Sequence, residues 1–300
     1  MTTIEIQGVK HTYELTPSTP KQSSVIVFIH GWLLSRRYWL PLIEQVQPYY
    51  PCLSYDLRGF GDSQLSPASV EGSLSYSPAS YAADLALLLK HLNIEQAWLV
   101  GHSLGGTIAL LAADQLPQQV KGVICVNAGG GIYLKEEFEK FRSAGKQIVK
   151  FRPRWLTIVP LLDRVFSRTQ VARPIARQWG RQRVIDFVVA SPEAALGALL
   201  DSTTEAEVHR LPQIVARLKQ PVYFLAGTED QVMEPQYVRY LASFHWMFKQ
   251  GDGNVIDIPD CGHMAMVEQT EVMAIHILTL LQQQGETVNR DPSPPERQDS

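Results

Sequence analysis

Short, almost uninterrupted apolar runs alternate along this chain with longer stretches in which apolar residues recur every three or four positions. The runs predict strands at Thr3–Gln7, Thr12–Leu15, Val25–His30, Cys52–Asp56, Ala97–Gly101, Val123–Ala128, Val222–Gly227 and Asn254–Ile258. Val25–Ile29 and Val222–Leu225 carry almost no polar residue, as expected of strands covered on both faces. Gly8 between the first two runs marks the turn of an opening hairpin. Helical periodicity predicts helices over Tyr81–His91, Leu104–Leu116 and Met264–Gln284. Alternation of this kind gives βαβ units, hence an α/β fold with a mostly parallel central sheet flanked by helices.

One gap is too long for a simple crossover. From Gly129 to about Val208 nothing reads as a sheet strand, and helical patterns are punctuated by Pro153, Pro160, Pro174 and Pro192. The expectation is an inserted helical cap at 129–208, dividing an α/β core made of 1–128 and 209–284. The polar, Pro-rich stretch 285–300 is expected to be a disordered tail.

Composition narrows the classes. The 300 residues are 45% hydrophobic and 19% charged with a net charge of −3, ordinary for a globular enzyme and no invitation to nucleic acid. No apolar run reaches the ~18 residues of a membrane-spanning helix, and the N-terminus lacks a signal-peptide layout. Cys52, Cys125 and Cys261 are sparse and odd in number, which reads as reduced thiols in a cytoplasmic protein, with no zinc site. No metal or organic cofactor is implied. His209, His245 and His276 stand alone and read as packing or surface residues.

The chemistry concentrates at Gly101-His102-Ser103-Leu104-Gly105, between a predicted strand and a predicted helix. That is the G-x-S-x-G elbow in its strand–turn–helix context. The serine needs a sharp turn, and the glycines on either side remove crowding there. Asp230 and His263 follow in the order Ser…Asp…His, each just after a predicted strand. All three therefore fall at the carboxyl edge of the sheet, where open α/β folds collect ligands. An imidazole to take the serine proton and a carboxylate to orient that imidazole complete a nucleophilic set. His30-Gly31-Trp32 follows a strand as well. The backbone N–H groups of Trp32 and Leu104 are the expected oxyanion hole, and His30 is expected to pin its loop.

These motifs, with DLRGFGDS at Asp56–Ser63 and GTEDQVMEP at Gly227–Pro235, resemble the α/β-hydrolase superfamily from about Thr3 to Gln284. HGW followed by SRRYW and DLRGFGDS is similar to the branch of esterases, cofactor-free haloperoxidase/perhydrolases and carbon–carbon bond hydrolases. The resemblance implies an ester-cleaving serine hydrolase, with structural roles for Asp56 and Arg58. It speaks against dehalogenase or epoxide-hydrolase chemistry, which needs a carboxylate at the elbow. The spacing from Asp230 to Pro235 is one residue longer than the family's. Glu229 therefore stands as an alternative acid to the favoured Asp230, with Asp257 and Asp260 weaker candidates.

The substrate question falls on the predicted cap. Between Lys140 and Arg183 lie twelve basic residues and one acid, Asp163, a net +11 that leaves −14 on the rest of the chain. Trp155, Leu156, Ile158, Val159, Leu162, Val165 and Phe166 are interleaved with them and predict an apolar face on a kinked helix. Three readings stand: core packing with solvated arginines, peripheral membrane contact, or inward arginines for an anionic substrate. The corresponding functions are hydrolysis of a small, lipid-like ester, or carbon–carbon bond cleavage or a lyase step on an anion. A third is non-enzymatic docking to a membrane or pigment complex on the same fold. Oligomeric state is not indicated.

Overall fold

The computed structural model describes residues 1–17, 24–65, 75–129, 135–251 and 253–286, except the side chains at 135–138, 140 and 141. β1 (Thr2–Ile6) and β2 (Val9–Leu15) form the opening hairpin. Its two-residue loop, Gln7-Gly8, has φ of 50° and 75°, the left-handed pair that matches strand twist in a tight hairpin. The chain continues through β3 (Val25–Ile29), α1 (Leu40–Val46), β4 (Cys52–Tyr55) and α2 (Pro78–His91). β5 (Ala97–His102), α3 (Leu104–Gln115) and β6 (Val120–Val126) follow.

Between β6 and the next strand come α4 (Lys135–Lys150), α5 (Leu162–Phe166), α6 (Arg177–Val189), α7 (Pro192–Ser202) and α8 (Glu205–Arg217). β7 (Val222–Gly227), α9 (Pro235–Ala242), α10 (Trp246–Lys249), β8 (Val255–Ile258), α11 (Ala265–Glu268) and α12 (Thr270–Gln283) close the fold. The eight strands form one sheet in the order β1-β2-β4-β3-β5-β6-β7-β8, antiparallel at β1–β2 and β2–β4 and parallel from β4 to β8.

Strand alternation divides the core. Val27 and Ile29 face one side with residues of α2, α3 and α8, while Ile26 and Phe28 face the other with residues of α1, α11 and α12. Both layers are needed because a parallel sheet has no face that can be left to water.

Two elements differ from expectation. The helix predicted over Met264–Gln284 is split at Gln269, whose φ of −132° and ψ of 46° are not helical. Glu268, the last residue of the first piece, turns its carboxylate back onto the main chain of Gly262 and Met264. The kinked helix expected through Trp155 is instead a 3-10 turn, Arg154–Ile158, and the short α5. Pro160 forces Val159 into extended backbone, and Leu161 follows at φ 65°. Gly285 and Glu286 also differ from the expected tail. Glu286 accepts hydrogen bonds from Trp98 Nε1 (3.1 Å) and Ser24 Oγ (3.2 Å), so the ordered chain reaches at least that residue. The remainder of the tail, 287–300, lies outside the described residues.

The segment between β6 and β7 is fastened to the α/β core at two places. Trp32 Nε1 donates to the Ala195 carbonyl (2.8 Å), and the Ser191 N–H donates to Gly59 (2.8 Å). Near the middle of the segment, the Ala172 N–H donates to Glu268 (2.8 Å). Among the described residues, no helix is long and apolar enough to cross a membrane.

Candidate active site

Ser103 sits between β5 and α3 at φ 52° and ψ −118°, backbone that a non-glycine residue adopts only when its surroundings enforce it. The surroundings are glycine-dependent. A Cβ at Gly101 would strike the Gly105 carbonyl, and one at Gly105 would strike the main chain of Ile29. The sharp turn thus closes only with those two residues, and the serine is pushed out at the sheet edge.

His263 follows β8. Its Nδ1–H donates to Asp230 Oδ2 at 2.7 Å, which fixes the tautomer and leaves Nε2 as a base. Asp230 is buried, and its Oδ1 accepts the N–H groups of Val232 (2.8 Å) and Met233 (3.0 Å). Glu229 is exposed. Asp257 and Asp260 are exposed and pair with Arg239 and Arg173. Of the four acids considered, Asp230 is the one that meets the histidine.

Gly31 packs on the elbow so closely that a Cβ there would lie 3.2 Å from Ser103 Cβ and 2.7 Å from His102 Nδ1. This brings the loop carrying Trp32 beside the N-terminus of α3, and Trp32, Ser103, Leu104 and His263 line one cavity. His30 behaves as a loop pin: its Nδ1–H donates to the Gly31 carbonyl (2.8 Å) and its Nε2 accepts from Leu57 N–H (2.9 Å). Burial pushes its pKa down, keeping it neutral. Asp56 accepts from the main chain and guanidinium of Arg36, and Arg58 donates to Asp84 at 2.9 Å. Both are structural.

Several residues that the sequence did not single out hold this arrangement. Asn127, with φ 47°, donates Nδ2 to the carbonyls of Gly262 (2.8 Å) and His263 (3.0 Å). Its Oδ1 accepts the Gly227 N–H (2.7 Å), so one side chain ties the ends of β6, β7 and β8. His102 donates Nε2–H to the His263 carbonyl (2.8 Å), and the two rings lie 4.7 Å apart. Burial, with His263 beside it, drives the His102 pKa well down. His102 therefore stays neutral and orients its neighbour.

The cavity encloses about 450 Å³. Leu33, Leu104, Phe166, Phe187, Leu199 and Met233 make its apolar wall, with Thr107, Ser202, Thr203 and Gln170 as polar points. Arg183 is the only cationic side chain among the described residues lining it. Its guanidinium donates to the carbonyls of Phe166 (2.7 Å) and Thr169 (2.6 Å) and to Gln170 Oε1 (2.6 Å). Most of its donors are thus engaged by protein.

Among the described residues, no three His, Cys, Asp or Glu side chains converge as metal ligands. Cys52, Cys125 and Cys261 are buried thiols whose pKa burial raises. His245 caps α10, its pKa lowered to about 4 by burial, while His209 is exposed.

The chain is 25% identical over 279 residues to an uncharacterized hydrolase, YugF, of Bacillus subtilis (strain 168), covering 91% of this chain and 94% of that one. It is 29% identical over 260 residues to 2-succinyl-6-hydroxy-2,4-cyclohexadiene-1-carboxylate synthase of Enterobacter sp. (strain 638), covering 85% and 91%. Among solved structures, a thermophilic esterase from Thermogutta terrifontis superposes with a TM-score of 0.74 over 96% of this chain and all of that one, at 22% identity. That likeness is one of fold. A family model described as the alpha/beta hydrolase fold matches residues 24–270, a span that runs from β3 past the histidine after β8. With this match and the sheet order in agreement, the chain belongs to the α/β-hydrolase fold family.

Proposed function

We propose that the protein is a serine hydrolase that cleaves carboxylic esters bearing an apolar acyl chain, through an acyl-Ser103 intermediate. The carrying observation is the 2.7 Å pairing of Asp230 with His263 beside a strained Ser103 in one largely apolar cavity.

Ser103 Oγ attacks the ester carbonyl as His263 Nε2 takes its proton, and Asp230 stabilises the imidazolium that forms. The oxyanion is met by the N–H groups of Trp32 and Leu104, each such donor contributing ~2.7–4 kcal/mol to lowering the barrier. His263 then returns the proton to the departing alcohol. Water, deprotonated by the same imidazole, releases the acid and frees Ser103. The segment between β6 and β7 acts as the cap that closes the acyl site.

The apolar wall favours an ester over an anionic substrate for carbon–carbon cleavage. Arg183, the cation available to an anion there, is already bound to Phe166, Thr169 and Gln170. Turning it toward an anion would compete with the three hydrogen bonds by which it holds Phe166, Thr169 and Gln170.

The test is intact-protein mass after a fluorophosphonate probe, with a panel of p-nitrophenyl esters, for wild type and Ser103→Ala. One probe adduct and ester turnover, both absent in the variant, are expected. A folded wild type that neither labels nor turns over esters would overturn the reading. Labelling without ester turnover would redirect it to carbon–carbon chemistry.

A further inference from the structure

We propose that the segment Lys150–Phe166 docks the protein on an anionic phospholipid bilayer. No residue in this stretch is buried, although Phe151, Trp155, Leu156, Ile158, Val159, Leu161, Leu162, Val165 and Phe166 are all apolar. Neither the 3-10 turn Arg154–Ile158 nor α5 has a buried residue. Core packing therefore does not account for the apolar side chains here. Ile158 is 80% exposed, Phe151 68%, Leu161 and Val165 55% each, and Trp155 54%. Phe151 and Trp155 meet edge to face with ring centres 6.4 Å apart, which makes them one aromatic patch.

The charge around the patch is predominantly positive. Lys146, Lys150, Arg154, Arg164 and Arg168 are exposed, and none is in an ion pair among the described residues. The nearby acid, Asp163, is already engaged by Arg177 at 2.6 Å. Cationic heads over outward apolar side chains match the two layers of a lipid interface, phosphate above and acyl chain below. The rest of the chain carries −14 against +11 at Lys140–Arg183. A negative surface would therefore attract this end and repel the other, orienting the molecule before contact.

The surface adjoins the cavity. Phe166, at the end of the stretch, and Ile148, just before it, both line the space that holds Ser103. A lipid-borne ester could pass from bilayer to Ser103 without crossing water. That route rests on the ester reading, whereas the docking surface does not.

The experiment is flotation of the full chain with vesicles of phosphatidylglycerol or of phosphatidylcholine alone. It compares wild type with the double variant Phe151→Asp, Ile158→Asp. Tryptophan quenching by lipids brominated in the acyl chain is read in parallel, with Trp155→Phe as the control. Binding to phosphatidylglycerol and not phosphatidylcholine is expected, weakened at least tenfold in the double variant. Quenching should be largely lost with Trp155→Phe. Fluorophosphonate labelling and turnover of a water-soluble short-chain ester should be the same in all variants, since none of the three residues lines the cavity. Three results would overturn the proposal: no binding to phosphatidylglycerol, binding indifferent to the apolar variants, or binding without quenching of Trp155. The last two would point to simple charge adsorption or to an acidic protein partner. Docking without labelling would sink the ester reading alone, and labelling without docking would sink this one alone.

Discussion

The main-chain N–H of His263 donates to the carbonyl of Gln170, 2.8 Å away. The proposed base is therefore held on one side by the segment between β6 and β7 and on the other by the sheet. Gln170 is in left-handed backbone at φ 59°, and its side chain is gripped by Arg183. Glu268 reinforces the junction: one oxygen accepts from both Ala172 (2.8 Å) and Gly262 (3.0 Å), and the other accepts from Met264 (2.8 Å). Any shift of residues 170–172 is thereby transmitted to His263.

Glu268 is accordingly a positioning residue. Glu268→Ala should lower kcat by ~10–100-fold, the loss expected from displacing a catalytic group by about 1 Å. KM should change little, since Glu268 is not among the residues lining the cavity. Glu268→Gln, which keeps one acceptor oxygen, should fall between. A KM that rises in step with the loss of kcat would argue for general loosening of the fold instead.

Asp230→Asn should reduce kcat by ~10⁴-fold, because an amide no longer selects the Nδ1–H tautomer of His263. The remaining carbonyl oxygen can still accept from Val232 and Met233, so the melting temperature should change little. Glu229→Gln, at an exposed position, should leave turnover intact. Steady-state kinetics on both variants discriminates the two carboxylates directly.

How much of this could be read from the chain alone follows from sequence distance. The elbow is local: strand, turn and helix lie within 20 residues, and the glycines that permit it are neighbours of Ser103. Asp230 and His263 could be picked out as candidates because each follows a recognisable strand by a few residues. Asn127 was not, since its bond to Gly262 spans 135 residues and nothing near it in sequence hints at the partner. Glu268 was hidden for a related reason. Its surroundings have good helical propensity, and its bond to Ala172, 96 residues away, has no local signal. Leu161 adopts φ 65° without being glycine, so composition could not reveal the break after Pro160.

Asp186 gives a pH signature of stability. It is buried, and although Ser35 Oγ (2.8 Å) and Gln182 Nε2 (2.9 Å) donate to it, burial dominates and pushes its pKa up to about 7. Its ordinary value is 3.8, so the folded state binds this proton more tightly than the unfolded state does. The stabilisation is complete below about pH 4 and is lost as pH rises through 7, with a change on the order of 4 kcal/mol. Asp186→Asn removes the titration and keeps an acceptor for Ser35. The variant should melt above wild type at pH 8, and the gap should narrow as pH falls below 7 and close only near pH 4. Parallel melting curves across that range would show that Asp186 ionises without penalty.

Leu199 tests the cavity as an acyl site. It is buried on α7, lines the cavity, and lies against Gly145 of α4, where an added Cβ would come within 2.6 Å of Leu199 Cδ2. The space it fills is thus bounded by backbone that cannot collapse readily. Leu199→Ala should leave most of the vacated volume open and destabilise the fold by ~2–5 kcal/mol, as buried leucine truncations do. If the acyl chain lies along this wall, kcat/KM across a p-nitrophenyl ester series should shift toward longer chains. The Ser103 labelling rate should stay near wild type, because Leu199 is remote in sequence from the elbow and makes none of the bonds that hold His263. An unchanged chain-length profile in a folded variant would place the acyl group elsewhere in the cavity, away from Leu199.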